Sequence, residues 1–111
     1  MARDNDDAVQ LLKGIGELYR RNGQSQRALV VLLVAVNGAP DDGVVLRSLV
    51  LAFTDSGDAS RALGALDRLV ALEGESASLL LLRARALWYG ERKDEARQCF
   101  KRYLAARRGG A

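Results

Sequence analysis

Apolar positions along the chain recur at three- and four-residue spacings, as helices with one buried face require. Ala96, Cys99, Phe100 and Tyr103 show this spacing near the end. The pattern predicts six helices, at about 7–22, 25–37, 42–56, 59–73, 76–90 and 93–107. Gly23 and Gly57 supply the positive φ that ends a helix. Ser25 and Asp58 are placed to cap the helix that follows. Asn37-Gly38 stops the second helix, and Pro40 cannot continue it. The paired residues Asp6-Asp7 and Asp41-Asp42 stand at helix starts, where carboxylates suit the helix dipole.

The elements repeat. Ala28, Ala62 and Ala96 are thirty-four residues apart, and so are Leu12, Leu46 and Leu80. Tyr19, Phe53 and Leu87 keep the same period, as do Leu32, Leu66 and Phe100, and Ala35, Leu69 and Tyr103. Gly57 follows Gly23 by thirty-four, whereas Gly90 comes one place early. A period of this length marks stacked supersecondary units. Small residues at Gly16 and Ala28 let two helices of a unit approach closely, with Tyr19 and Leu32 filling the space beside them.

Composition narrows the class. The chain has no His and one Cys, so neither a four-ligand zinc site nor an internal disulfide framework can form. The usual acid–base and nucleophile pairings are missing, and no enzyme is expected. Cys99 lies on the apolar side of its helix and reads as a structural thiol. Gly14 and Gly16 make a Gly-x-Gly, but inside a helical pattern rather than a phosphate loop. No apolar run approaches the roughly 18 residues of a membrane span. The acidic start of the chain lacks the basic-then-apolar build of a signal peptide. A reducing, cytoplasmic setting is the simplest expectation. Charge is uneven: residues 83–108 carry nine basic and three acidic groups, against eight and eleven elsewhere. That basic end reads first as solvated helix faces, and otherwise as a surface for an acidic partner or nucleic acid.

The series Leu12, Ile15-Gly16, Tyr19, Gly23, Ala28, Leu32, Ala35 and Pro40 resembles the tetratricopeptide repeat nearly completely. A second copy runs through Leu46, Leu49-Val50, Phe53, Gly57, Ala62, Leu66 and Leu69, with Gly74 in place of the proline. The third is degenerate, with Arg83 and Ala84 at the Leu-Gly position. The resemblance implies an all-α fold of three tetratricopeptide-type helix hairpins in a short right-handed superhelical solenoid. A polar segment at 1–8 would precede one domain at 9–108, with repeats at about 9–42, 43–76 and 77–108. A flexible tail at 109–111 would follow.

Three repeats filling a short chain are similar to the small cytoplasmic chaperones of bacterial type III secretion, and most of all to the YscY-type (SctY) family. Leu11-Leu12 through Gly23-Gln24, Arg61-Ala62-Leu63 and the stretch Glu95 to Leu104 carry this likeness. It implies a non-enzymatic chaperone, without cofactor, that forms a heterodimer with a small secreted protein of the YscX (SctX) type. The pair would then engage the cytoplasmic part of the export gate. A needle-subunit chaperone and a generic peptide-binding adaptor are the alternatives. An RNA-reading helical repeat would need a regular base-reading set on each repeat, which is not seen. Neither nucleic acid nor membrane insertion is expected.

In this repeat family the concave face is lined by the first helix of each unit. Carried over by position, it presents Arg20 from the first repeat. The second gives Val44, Arg47 and Leu51. The third gives Leu81, Leu82, Arg85, Trp88 and Tyr89. A partner helix would lay its apolar side on Leu51, Leu81, Trp88 and Tyr89, while Arg20, Arg47 and Arg85 pair with its acids. The helix holding Leu80 to Trp88 is apolar nearly all round, which calls for cover on both sides. Helix six must either cap the array itself or be covered by a partner.

Overall fold

The computed structural model describes residues 2–109, with side chains from Asp6 onward. It is all-helical over this range. The helices are α1 (Ala2–Arg21), α2 (Ser25–Gly38), α3 (Gly43–Asp55), α4 (Ala59–Glu73), α5 (Ala77–Tyr89) and α6 (Lys93–Gly109). Five starts and ends fall within a residue or two of the sequence expectation. α1 differs, because the polar stretch before Ala8 continues the helix back to Ala2. Met1 and the last two residues of the expected tail, Gly110 and Ala111, lie outside the described residues.

Three-residue turns join α1 to α2, α3 to α4 and α5 to α6, and each such pair packs closely. All three turns are built alike. The Gly23 N–H donates to the Arg20 carbonyl at 3.1 Å, and the Gln24 N–H reaches back to Tyr19 at 2.9 Å. Gly57 and Asp58 repeat this on Thr54 and Phe53, at 3.0 Å each. Glu91 and Arg92 repeat it on Trp88 and Leu87, at 3.1 and 2.8 Å. This Schellman geometry needs a left-handed residue at its centre. That residue is Gly23 (φ 74°), Gly57 (φ 77°) and, in the third turn, Glu91 (φ 65°). The third turn therefore keeps the thirty-four-residue period, with Glu91 in the glycine position. Gly90 is a glycine for another reason: a Cβ there would run into the Ala59 side chain.

The helix starts are mostly capped as the residue types suggest. Asp42 accepts from the N–H groups of Val44 (2.9 Å) and Val45 (3.2 Å). Asp58 accepts from Arg61 at 3.1 Å, and Ser76 from Leu79 at 3.2 Å. Ser25 does not cap α2. It is the first residue within the helix, and the cap position falls to Gln24, whose side chain makes no cap bond.

One core runs through α1 to α5, with Leu32, Leu46, Leu66 and Leu69 fully enclosed. Each such leucine contributes roughly 1.5–3 kcal/mol of burial. Gly16 admits Leu32, since a Cβ on Gly16 would lie 2.7 Å from its Cδ2. Among the described residues the one buried polar side chain, Thr54, donates to the Val50 carbonyl at 2.7 Å. A second, smaller core of Leu80, Ala84, Leu87, Ala96 and Cys99 joins α5 to α6. α5 is thus covered on two sides, with Leu79, Leu82 and Ala86 in the larger core. That accounts for most of its all-round apolar character. Between pairs, α3 touches α1 and α2, and α5 touches α3 and α4. The first helices therefore lie side by side, and among the described residues the backbones of α2 and α4, and of α4 and α6, do not approach within 8 Å. The result is elongated, 44 × 27 × 20 Å.

Candidate functional site

An open apolar groove lies between α5 and α6, with a volume of about 430 Å³. Its α5 wall is Leu81, Ala84, Arg85 and Trp88, at the i, i+3, i+4, i+7 spacing of one helix stripe. Arg97, Phe100 and Lys101 form the rim on α6. Phe100 is 43 % exposed, whereas its equivalents Leu32 and Leu66 are 0 % exposed. Trp88 is also about half exposed. Its ring is partly roofed by cations, with Lys93 Nζ 5.0 Å and Arg97 Cζ 6.0 Å from the centroid. Phe100 and Tyr103 stack at 5.4 Å between centroids. The floor is apolar and the edge is cationic. Arg97 is held by Asp94 at 2.9 Å, but Arg85 and Lys101 have no ion-pair partner among the described residues.

Of the nine residues expected to contact a partner, the structure brings Leu81, Arg85 and Trp88 together in this groove. Tyr89 is exposed beside it at the end of α5, and Val44 is exposed on the first turn of α3. Leu51 is half-buried against the larger core, and Leu82 is inside that core, where it packs rather than offering contact surface. Two arginines are engaged within the chain. Arg20 holds Glu17 through two hydrogen bonds, of 2.6 and 3.1 Å, and lies 3.9 Å from Asp55 of α3. The Arg20 hydrogen bond, opposed by burial, keeps the Glu17 carboxyl below its ordinary pKa. Arg47 bonds Ser78 at 3.3 Å and Glu73 at 3.4 Å, tying α3 to α4 and α5. Both act as ties between neighbouring helices.

Position alone did not reveal the α6 side of the groove. Phe100 occupies the same register as Leu32 and Leu66, so the period marks it as core. The available signal was the cluster of Arg97, Lys101 and Arg102 around it, where the second repeat carries Leu63, Asp67 and Arg68 and the first Leu29, Leu33 and Val34.

Cys99 is buried, and its thiol donates to the Leu80 carbonyl at 3.3 Å. Burial pushes its pKa above the ordinary value, against the weaker pull of Arg83 and Arg102. Among the described residues no cluster of three or more His, Cys, Asp or Glu side chains could hold a metal ion. No described helix is long and apolar enough to cross a membrane. The chain matches no protein-family model and no curated protein sequence.

Proposed function

We propose that the chain is a tetratricopeptide-type right-handed solenoid that binds a helical segment of another protein. Within that class we read it as a cytoplasmic YscY-type (SctY) chaperone for a small secreted protein of the YscX (SctX) type. The solenoid reading is supported by three turns built alike at one period and by side-by-side first helices whose partner helices keep their backbones farther apart. The binding reading rests on one observation, the α5–α6 groove with half-exposed Trp88 and Phe100 above an apolar floor.

The groove suits an amphipathic helix. Its apolar side would cover Leu81, Trp88 and Phe100, which are already more than half buried, so each contributes less than half of the roughly 1.5–3 kcal/mol of full burial. Carboxylates along its edge would meet Arg85 and Lys101, which set register and orientation more than affinity. Binding of this kind uses no catalytic group and no cofactor. The resulting heterodimer would be the form offered to the export gate.

The test is co-expression with the YscX-type protein of the same genome. A complex of equal stoichiometry is expected on size exclusion. Trp88→Ala should weaken it at least tenfold, about 1.4 kcal/mol, with helix content unchanged. Separate elution of the two proteins, or undiminished affinity in the variant, rejects the reading.

A further inference from the structure

The thirty-four-residue period allows each end of the array to be compared with its interior equivalents. At the start, α1 turns Leu11 (64 % exposed) and Leu18 (61 % exposed) to solvent. The equivalents of Leu11 are Val45 and Leu79, and those of Leu18 are Ala52 and Ala86, and all four are buried. α1 differs from α3 and α5 in having no helix pair before it among the described residues. The preceding pair is therefore what covers this stripe inside the array. The far end is the mirror case. Phe100 and Tyr103 on α6 stand where α2 carries Leu32 and Ala35 and α4 carries Leu66 and Leu69, all of which are buried. α6 differs in having no helix after it among the described residues. The two open faces are thus the two halves of the interface that recurs twice within the chain.

Charge supports joining them. Short connections at 39–42 and 74–76 hold the end of each second helix beside the start of the next first helix. Stacking a second copy in the same geometry sets the start of its α1, with exposed Asp6 and Asp7, beside the end of α6, with exposed Arg107 and Arg108. A symmetric contact between two α5–α6 faces would instead oppose Arg85, Arg97 and Lys101 to their own copies. Opposite charges attract and like charges select against that alternative.

We propose that the free chain self-associates head to tail, the Leu11–Leu18 stripe of one copy seating in the α5–α6 groove of the next. Such a contact leaves a free head and a free tail on every assembly, so growth continues with concentration. The proposal needs only the two end faces and holds whatever protein partner the groove takes.

Light scattering across a concentration series tests it, using the wild type, Leu18→Glu and Phe100→Glu. Both side chains are exposed in the single chain, so both variants fold, with circular dichroism as the check. The wild-type mass should rise with concentration. Each variant alone should stay monomeric, while an equimolar mixture should form a dimer and stop there, since each variant retains the face the other lacks. Added salt should weaken the wild-type association. A wild type that stays monomeric up to its solubility, or a mixture that does not dimerise, overturns the proposal. Dimerisation of one variant alone also overturns it, because that reports a symmetric contact.

Discussion

Residues 90 and 91 exchange roles in the third turn, and exchanging their chemistry tests the description of that turn. Glu91 sits at φ 65° in the position held by Gly23 and Gly57 in the other turns. A left-handed residue with a Cβ costs about 1–2 kcal/mol relative to glycine. Glycine returns about 0.5–1 kcal/mol of this through its greater freedom in the unfolded chain. The Glu91–Lys93 ion pair, 3.6 Å long and largely exposed, is lost in the variant. Exposed pairs are worth about 0–1 kcal/mol, and one this long and open lies toward the low end. Glu91→Gly should therefore stabilise the fold by about 0.5 kcal/mol. Gly90 has an ordinary φ of −87°, so alanine is allowed there by its backbone. Its Cβ would meet Ala59 at the start of α4, and relieving that overlap should cost about 1–3 kcal/mol. Gly57→Ala gives the control. Its Cβ would meet nothing nearer than the Tyr89 carbonyl at 3.9 Å, so only the positive φ is charged, at about 1 kcal/mol. Urea unfolding followed by far-UV circular dichroism reads all three, since 1 kcal/mol moves the midpoint by about 0.3–1 M. A Glu91→Gly variant that loses stability, or a Gly90→Ala variant that does not, would refute the assignment.

Leu66→Ala should cost about 3–5 kcal/mol, whereas truncation of the register-equivalent but half-exposed Phe100 should cost about 1–2 kcal/mol; equal losses in urea unfolding would contradict the open groove. Asp42→Ala should lose about 1–2 kcal/mol at neutral pH, because Asp42 both caps α3 and pairs with Lys13 at 2.8 Å. Burial raises the Asp42 pKa, but the Lys13 hydrogen bond and the Val45 and Val44 N–H bonds outweigh it and leave the folded value depressed. Its contribution is therefore present above the unfolded pKa, and the gap to wild type should narrow as the pH falls below about 4. Cys99 should react with an aromatic disulfide reagent only as fast as the chain unfolds, being buried with its pKa raised by that burial; rapid modification of the native chain would show that α6 lifts away from α5.

The six helices were legible because their signals are local: apolar spacing, a glycine at the turn, aspartate at the start. The core was legible because the period copies it, so that Leu32 and Leu66 identify each other. The misreadings share one cause. Ser25, Gly90 and Phe100 were each assigned from residue type or register, and each role is settled by a neighbour instead. The turn geometry moves the cap to Gln24, Ala59 makes a glycine necessary at 90, and no described helix lies over Phe100. Arg20 and Arg47 follow the same logic, since Asp55, Glu73 and Ser78 lie within reach and engage them inside the chain.

A repeat fixes which positions face a neighbour, but only position in the array decides whether a neighbour is there. Inside the chain, the stripe positions Val45, Ala52, Leu79 and Ala86 are buried by the preceding helix pair. The two ends keep theirs exposed, Leu11 with Leu18 at one and Trp88 with Phe100 at the other. The groove proposed for binding therefore lies in the least regular of the three repeats. The third repeat departs most from the pattern, and its departures are aromatic and cationic groups around the groove. Replacing Trp88 by the residue of the second repeat, Trp88→Thr after the equivalent Thr54, should leave the fold intact and remove the surface that a partner or a second copy would cover.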